Sequence, residues 1–297
     1  MTAKVSERNY SIIITFICAV VALLCLYPLV YTVLVSFCDP SEINASYFLP
    51  IPKQFTVQAY AQVLTAGNYI VKAIGVSVFR TVIGTVTSVL FCSLLAYAVS
   101  RQNLPGRGVV IKIILFCILF SGGLIPTYVV IDSLHLTDNI WVYIVPNIMN
   151  VWNVIIIKQF FEGLPKEIEE AANIDGANEW TIFCSVIIPM SKPVIAAISL
   201  FTMVGQWNSW FDAFLYISNA HSELWPLQYY IQISFSNLNQ INQGNLDKLE
   251  EILNIGTIND MSLKMALTVI GCLPVLIVYP FFQKYFTKGV YVGSVKG

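Results

Sequence analysis

The feature that most constrains the fold of this chain is the spacing of its charged residues. No Asp, Glu, Lys or Arg lies between residues 9 and 38. A helix needs about 20 predominantly apolar residues to cross the roughly 30 Å hydrocarbon core of a bilayer. The pattern therefore predicts an all-α integral membrane protein with six transmembrane helices. The five further charge-free windows, each 19 or 20 residues long, are 81–100, 113–131, 139–157, 193–211 and 265–283.

The overall composition agrees with a membrane protein. Hydrophobic residues make up 57% of the 297 residues and charged residues only 11%, which is about half the charged fraction of a typical soluble domain. The first apolar window is longer than the roughly 7 to 15 residues of a cleaved signal sequence, and no small-x-small cleavage site follows it. We therefore expect a retained first helix. The six helices are predicted at about 11–37, 71–99, 109–131, 140–161, 194–217 and 263–286.

The distribution of Lys and Arg predicts how the chain is oriented. With the N-terminus in the cytoplasm, eleven of the 16 basic residues lie in cytoplasmic segments, four lie in external segments, and Arg80 lies inside a predicted helix. Cytoplasmic loops of membrane proteins carry this kind of excess positive charge. We expect a multi-pass protein with both termini and residues 158–193 in the cytoplasm. The net charge of −1 gives no indication of nucleic-acid binding.

Residues 164–193, LPKEIEEAANIDGANEWTIFCSVIIPMSKP, interrupt the apolar chain with charges, Gly and Pro. The pattern predicts a short helix beginning at Pro165, a break at Gly176, a second helix and a stop at Pro193. Pro suits a first helical position, and Gly suits the left-handed position after a helix end. The acidic residues that offer carboxylates to a basic groove are Glu169, Glu170 and Asp175. The small residues that let another protein approach closely are Ala171, Ala172, Gly176 and Ala177.

An alternative for this segment is an amphipathic helix that lies on the inner leaflet of the membrane. That leaflet is anionic and attracts Lys and Arg by about 1 kcal/mol per charge. The helix before Gly176 is acidic instead, so the lipid surface would repel it. A cytoplasmic partner protein is the better interpretation.

Four motifs resemble a known family. Glu170-Ala171-Ala172, three residues, Gly176 and an apolar run that closes on Ile188-Pro189 resemble the EAA loop of binding-protein-dependent ABC importer permeases, although Leu is usual at 188. The fuller segment EEAANIDGANEWTIFCSVIIPMSKP is similar to the carbohydrate branch related to the maltose permease MalG. The other three motifs are similar to the LplC-like polysaccharide-uptake subgroup, and they are SGGLIPTY (121–128), VGQWNSWFDAFLYI (204–217) and FTKGVYVGSVKG (286–297).

The resemblance implies a fold, a function and partners. It implies a type I ABC importer permease in the bacterial cytoplasmic (inner) membrane, which imports oligosaccharides and is not itself an enzyme. No cofactor would bind this chain, because ATP and Mg would bind a dimeric cytoplasmic ATPase. A homologous second permease and an extracellular or periplasmic sugar-binding protein would complete the assembly. The chain would consist of an N-terminal transmembrane helix with an external segment (1–70), the importer transmembrane domain with its coupling loop at 162–193 (71–286), and a cytoplasmic tail (287–297).

The resemblance also assigns roles within the coupling loop. The loop would dock in a cleft of the ATPase, Glu170 would pair with a basic residue there, and Gly176 would set the bend between two short helices. The implied coupling residues are Glu169, Glu170, Ala171, Ala172, Asp175, Gly176, Ala177 and Pro189.

Polar residues within the predicted helices indicate a translocation path, because such residues are costly in lipid and usually face a cavity or a partner. Amides, a carboxylate and aromatic rings suit sugars. Interhelical hydrogen bonding is the alternative role, and for Arg80 the alternatives are snorkelling or an ion pair with Asp212. The predicted path residues are Arg80, Asn147, Asn150, Asn153, Gln206, Trp207, Asn208, Trp210 and Asp212. Residues 219–262 are either a contact for the binding protein or a solvated loop.

Two other classes of protein are alternatives to this assignment. A secondary transporter or channel acting alone usually shows inverted repeats and broken helices, and no internal repeat is evident in this sequence. An intramembrane enzyme would need a His, Asp or Cys constellation at membrane depth, and none is evident. The sequence also lacks the GxxxxGK[ST], HExxH, GxSxG and CxxC…CxxC motifs, and the seven cysteines are interpreted as apolar fillers rather than metal ligands. The sequence does not identify which oligosaccharide would be transported.

Overall fold

The computed structural model describes residues 2–39, 51–52, 54–65, 69–241 and 260–293. Within these ranges the chain is helical, apart from turns, extended segments and one isolated bridge between Cys38 and Phe55. Three short 3₁₀ turns lie at Ile140–Tyr143, Val145–Asn147 and Asn219–Leu224. The α-helices are α1 (Thr2–Ser36), α2 (Gln58–Thr65), α3 (Tyr69–Ser100), α4 (Arg107–Leu119), α5 (Leu124–Ser133), α6 (Val151–Glu162), α7 (Lys166–Ile174), α8 (Glu179–Met190, with a π-helical turn at Phe183–Ile187), α9 (Lys192–Asn208), α10 (Phe211–Tyr216), α11 (Leu227–Ile241) and α12 (Asp260–Gly293).

Three of the described helices contain stretches that are long and apolar enough to cross a membrane unbroken. These stretches are Tyr10–Ser36 in α1, Ile70–Ser100 in α3 and Met261–Gln283 in α12. Three bent pairs of helices also qualify by length and composition, so the described residues supply up to six spans if each bent pair counts as one. The charge-free windows thus predict where apolar helices occur, while the count of six spans stays a prediction.

The predicted helix at 109–131 is not continuous. It divides into α4 and α5, which meet at an angle of 118°. Gly123 lies at the bend with φ 86° and ψ 175°, a region of backbone space that only glycine occupies without strain. Residues 113–131 carry no charge to mark the bend, so the hydropathy pattern missed it.

The predicted helices at 140–161 and 194–217 are also broken. The first begins with 3₁₀ turns and bends by 45° before α6, because the Asn150 side chain caps α6 by accepting the Asn153 N–H at 3.2 Å. The second ends at Asn208 and resumes as α10 at Phe211. Both breaks fall at polar residues that the prediction had placed inside straight helices.

The chain forms two compact units, of which the first comprises residues 1–70 and 233–273. Within it, the Ser36 hydroxyl and the Tyr60 hydroxyl are 2.7 Å apart, and the rings of Phe37 and Tyr60 lie 5.1 Å apart. The Ser262 hydroxyl donates to the Cys38 carbonyl at 3.2 Å. These contacts tie the end of α1 to α2 and to the start of α12.

The second unit comprises residues 71–232 and 274–297 and contains a buried apolar core. The core joins α3, α4, α6, α8 and α9. Because close-packed interiors are hardly compressible, a displacement of one of these helices is passed to the others. The buried members are Cys92, Ala96, Tyr97, Val99, Ile114, Val154, Ile157, Phe161, Ile182, Phe183, Ile187, Val194 and Ile198.

The region predicted as an external loop, 219–262, contains regular structure. It includes the 3₁₀ turn Asn219–Leu224 and the 15-residue helix α11, while residues 242–259 lie outside the described ranges. The prediction of a loop is therefore wrong for its first half. The Tyr143 hydroxyl donates to the Leu224 carbonyl at 2.8 Å, which fixes the 3₁₀ turn to the second unit.

Candidate functional site

A cavity of about 730 Å³, lined by both polar and apolar side chains, lies within the second unit. Its walls come from α3, α5, the 3₁₀ turns before α6, and from α6, α9 and α10. Hydroxyl groups of Ser88, Ser121, Thr127 and Thr202 contribute to the lining. Six of the nine predicted path residues also line the cavity, and they are Arg80, Asn147, Asn150, Asn153, Gln206 and Asp212.

The Arg80 guanidinium is the centre of the polar cluster in this cavity. Its side chain is 1% exposed, and Nη2 lies 2.5 Å from Oδ2 of Asp212 while Nη1 lies 3.1 Å from Oδ1. Nη1 also donates to the Ser209 carbonyl at 3.0 Å, and Nη2 donates to Oε1 of Gln206 at 3.2 Å. The Tyr143 ring lies 4.5 Å from the guanidinium carbon. The ion pair with Asp212, one of the alternatives considered for Arg80, is therefore confirmed.

The break between α9 and α10 explains why these groups converge. Since α9 ends at Asn208, the carbonyl of Ser209 continues no helix and is free to accept a hydrogen bond from Arg80. Asp212 stands in the first turn of α10, and besides its two bonds to Arg80 its carboxylate accepts the Ser209 hydroxyl at 3.2 Å and the Ala213 N–H at 3.0 Å. A guanidinium with two parallel bonds to a carboxylate is held more firmly than a single ion pair.

Gly84 is a structural contributor that sequence reasoning missed. A Cβ atom at this position would lie 2.9 Å from Cδ and Nε2 of Gln206, which is closer than real contacts allow. Because Gly84 has no Cβ atom, the Gln206 amide can lie against α3 and reach Arg80. Gly84 is four residues after Arg80, on the same face of a helix, and that spacing was the available signal.

The three predicted asparagines of the path all have partners inside the chain. Nδ2 of Asn147 donates to the Tyr143 carbonyl at 3.2 Å, and Nδ2 of Asn153 donates to Oγ1 of Thr202 at 3.1 Å. Asn150 caps α6, as described above. The asparagines therefore line the cavity and also hold its walls together, since the bond from Asn153 joins α6 to α9.

Trp207, Asn208 and Trp210 do not line the cavity. Trp207 is 5% exposed and packs into the second unit, Asn208 is exposed, and the Trp210 ring meets the Phe211 ring edge-on at 5.7 Å. Ser209 interrupts the helix with an extended backbone (φ −72°, ψ 128°), so Trp207, Asn208 and Trp210 do not lie on one continuous helix. Residues of α10 take their place in the lining, and they are Phe211, Leu215 and Tyr216.

Tyr216, which lines the cavity, is held in place by an aromatic partner and by a hydrogen bond to a neighbouring turn. The ring of Tyr216 stacks on that of Tyr128 with centroids 5.8 Å apart, and the Tyr216 carbonyl accepts the Asp138 N–H at 2.8 Å. The carboxylate of Asp138 accepts the Ser218 N–H at 2.5 Å, and His221 lies 3.7 Å away. The hydrogen bond from Ser218 lowers the pKa of Asp138, so this link persists into mildly acidic conditions.

The predicted coupling segment folds as α7, a turn and α8. Gly176 lies in the turn with φ 80°, which confirms the left-handed conformation expected there. Pro165 directly precedes α7, and the chain bends by 81° between α8 and α9, where Pro193 begins a helix rather than ending one. Of the predicted coupling residues, the exposed ones are Glu170, Ala171, Asp175, Gly176 and Pro189, and the half-buried ones are Glu169, Ala172 and Ala177.

The two helices of this segment differ in what they present to their surroundings. Two large apolar side chains stand out, Ile174 at 87% exposure and Trp180 at 61%. Glu169 is only partly exposed because Arg101, just after α3, binds its carboxylate, and the same guanidinium lies 3.2 Å from the Glu179 carboxylate. Sequence reasoning missed Arg101, since 68 residues separate it from Glu169.

The sequence is similar to a known family of membrane transport proteins over nearly its whole length. The family profile described as "Binding-protein-dependent transport system inner membrane component" matches residues 13–291. The chain is 39% identical over 291 residues to the "Polygalacturonan/rhamnogalacturonan transport system permease protein YtcP" of Bacillus subtilis (strain 168), with 98% of this chain and 99% of that protein covered. It is 41% identical over 270 residues to "Protein LplC" of the same organism, with 91% and 89% covered.

A solved structure is similar over almost the same length. It is the crystal structure of a bacterial ABC transporter involved in the import of the acidic polysaccharide alginate. The TM-score is 0.83 at 32% sequence identity, and the match covers 95% of this chain and 98% of that chain.

Replacing Gly84 tests the packing of the polar cluster. We expect Gly84→Ala to displace the Gln206 amide from α3 and to lower the stability of the purified protein by about 1–3 kcal/mol, the usual cost of overpacking. The measurement is the thermal unfolding midpoint in detergent. Gly75→Ala is the matched control, because Gly75 lies in the same helix and a Cβ there meets nothing within 4 Å. Equal midpoints for the two variants would contradict the prediction.

Proposed function

The chain belongs to the family of inner membrane components of binding-protein-dependent transport systems, and we propose that it is the permease subunit of an ATP-driven importer of oligosaccharides. The observation that carries the proposal is a cavity of about 730 Å³ with a mixed polar and apolar lining inside a membrane protein whose relatives are permeases of sugar importers. The chain supplies the path and the coupling segment, while a separate ATPase supplies the chemistry.

The cavity lining suits sugar hydroxyl groups. Amide groups of the three asparagines and of Gln206 both donate and accept hydrogen bonds, as hydroxyls do. The Tyr216 ring, held by its stack on Tyr128, offers a flat apolar surface to the carbon face of a pyranose. A site with few polar groups of fixed orientation between apolar walls is the usual form of a small-molecule site. Trp207, Asn208 and Trp210 stay proposed only as support for the walls.

We assign acidic oligosaccharides as the cargo class, because relatives are named for polygalacturonan/rhamnogalacturonan and for alginate. Arg80 is not proposed as the group that attracts them. Its guanidinium is occupied by Asp212, Gln206 and the Ser209 carbonyl, so its charge is already balanced. Selection between acidic and neutral cargo is instead assigned to the sugar-binding protein, and the cavity accepts both through its amides and hydroxyls.

The segment from α7 to α8 is proposed to dock on a dimeric cytoplasmic ATPase that binds ATP and Mg. Its exposed surface combines the carboxylates of Glu170 and Asp175 with the apolar side chains of Ile174 and Trp180. A buried aromatic anchor surrounded by polar contacts is typical of the residues that dominate protein interfaces. A homologous second permease would complete the path, and both termini are proposed to be cytoplasmic.

Dependence on ATP distinguishes this function from that of a transporter acting alone. We expect an ATPase to copurify with the chain and uptake of an oligogalacturonide by whole cells to stop when the catalytic glutamate of that ATPase is replaced by Gln. Uptake that continues without ATP hydrolysis would contradict the proposal and favour a secondary transporter or channel. Membrane insertion of the chain, measured by fractionation, serves as the control for expression.

Replacing Gly176 tests the docking of the coupling segment. We expect Gly176→Asp to abolish oligogalacturonide uptake, because a side chain and a negative charge would enter the proposed interface, while membrane insertion stays intact. Gly106→Asp is the matched control, since Gly106 also has a positive φ of 74° and nothing near its Cβ position, yet lies outside α7 and α8. Asp tolerates the left-handed region better than most residues, so strain alone affects both variants alike. Normal uptake by the Gly176→Asp variant would contradict the docking proposal.

A paired substitution tests the assignment of Arg80. We expect the double variant R80Q/D212N to take up an oligogalacturonide and a neutral oligosaccharide of the same length in the wild-type ratio, because it removes both charges together and leaves neither one buried without its partner. Removing Arg80 alone would leave a buried carboxylate unpaired at a cost of about 3–5 kcal/mol, which confuses folding with selectivity. A selective loss of acidic uptake by the double variant would return Arg80 to the role of cargo-binding residue.

A further inference from the structure

Arg101 lies directly after α3 and contacts both helices of the coupling segment. One guanidinium nitrogen pairs with the carboxylate of Glu169 in α7, and the other lies 3.2 Å from Oε2 of Glu179 in α8. Arginine can hold two carboxylates at once because its guanidinium is a planar fork, whereas lysine is a point charge. Three helices therefore meet at one side chain.

Tyr97 fixes the orientation of this guanidinium. The Arg101 carbon Cζ lies 4.2 Å from the centre of the Tyr97 ring, and a guanidinium nitrogen donates to the Tyr97 hydroxyl. That hydroxyl in turn donates to Oε2 of Glu179 at 2.6 Å. The Tyr97 ring is buried in the apolar core, 5.0 Å from the ring of Phe183. The ion pairs are thus anchored to the core and are not free surface contacts.

The two helices of the coupling segment depend on Arg101 to different degrees. In α8, Ile182 and Phe183 belong to the buried core, so that helix is held by packing. In α7 no residue is buried, and Ala172 packs only partly against the core. Among the described contacts, the pair between Arg101 and Glu169 is the ion pair that attaches α7 to the end of α3. It acts on the helix that carries the exposed Glu170 and Ile174.

We infer that Arg101 is a positioning residue that makes α3, α7 and α8 move as one body. A displacement of α7 by a docked ATPase then reaches α3, and α3 carries Arg80 and lines the cavity. The inference rests on the proposed function, because it concerns how docking is passed to the path. It adds a residue outside the EAA loop to the coupling machinery and assigns Glu169 a partner within this chain.

Arg107 provides a matched control. It is six residues away, has 29% side-chain exposure compared with 20% for Arg101, and pairs with Glu162 at 2.7 Å. It also donates to the Val99 carbonyl at 2.8 Å. Arg107 therefore joins the start of α4 to α3 and α6 and touches neither α7 nor α8 in the described contacts. Loss of a cytoplasmic ion pair is common to both variants, and loss of the attachment of α7 is specific to Arg101.

The experiment measures coupling in the complete transporter, reconstituted in proteoliposomes with its ATPase and sugar-binding protein. For the wild type, Arg101→Gln and Arg107→Gln, uptake of an oligogalacturonide and ATP hydrolysis are measured together. We expect Arg101→Gln to keep ATP hydrolysis and to lose about fivefold or more in sugar imported per ATP, within the range of typical coupling effects. Arg107→Gln keeps the wild-type ratio. Misfolding lowers both rates together, so it does not change the ratio.

Two further variants sharpen the test. Arg101→Lys should give an intermediate ratio, because a single ammonium can keep one ion pair but not both. Glu179→Gln changes a side chain that is 69% exposed, so it assembles even if Arg101→Gln does not, and it should lower the ratio as well. Adding Glu179→Gln to Arg101→Gln should lower the ratio no further, since both act through one cluster.

The outcomes separate this inference from the proposed function. A wild type without ATP-driven uptake would remove the proposed function and the inference with it. A wild type that couples normally, together with an unchanged ratio in Arg101→Gln, would overturn only the role of Arg101. Equal lowering of the ratio by Arg101→Gln and Arg107→Gln would overturn it as well. If Arg101→Gln does not assemble, an unchanged ratio in Glu179→Gln would overturn it instead.

Discussion

A buried guanidinium needs a partner for its charge, and this requirement organises the second unit of the protein. Arg80 is 1% exposed and binds a carboxylate, an amide and a backbone carbonyl from the region where α9 gives way to α10. Two of these partners depend on the break at Ser209, because a continuous helix would keep that carbonyl and point Asp212 elsewhere. Gly84 then sets how closely α9 approaches α3. The cavity is the space that these constraints leave open.

The spacing of charges predicts apolar helices well and predicts their direction poorly. α1, α3 and α12 appear where charge-free windows occur, since length and hydropathy are enough to identify them. The breaks at Gly123, Asn150 and Ser209 were missed because they depend on backbone conformation and on cap hydrogen bonds between polar side chains and neighbouring amides. In the site, the pairing of Arg80 with Asp212 was anticipated as an alternative, whereas Trp207, Asn208 and Trp210 were placed on a straight helix that does not exist.

The segment from α7 to α8 shows how local signals and distant contacts differ in predictability. Gly176 could be placed in a left-handed turn because the requirement is local. The attachment of Glu169 to Arg101 joins residues far apart in the sequence, and no spacing rule reports it. The segment also mixes two kinds of anchorage, since α8 is embedded in apolar packing while α7 is held by an ion pair and a small contact. Held in this way, α7 can be exposed to a partner while a change in its own position is still passed to α3.

The balanced charges of Arg80 and Asp212 have an electrical consequence. Among the described residues that line the cavity, these two carry the charges and cancel one another, so the walls offer an ionised cargo no counter-charge. Moving one elementary charge across 100 mV involves about 2.3 kcal/mol. Moving an anionic sugar into a negative cell interior therefore requires additional electrical work for every carboxylate that the sugar carries. For such a cargo, the electrical work of import would rise with the number of charged units in the sugar chain.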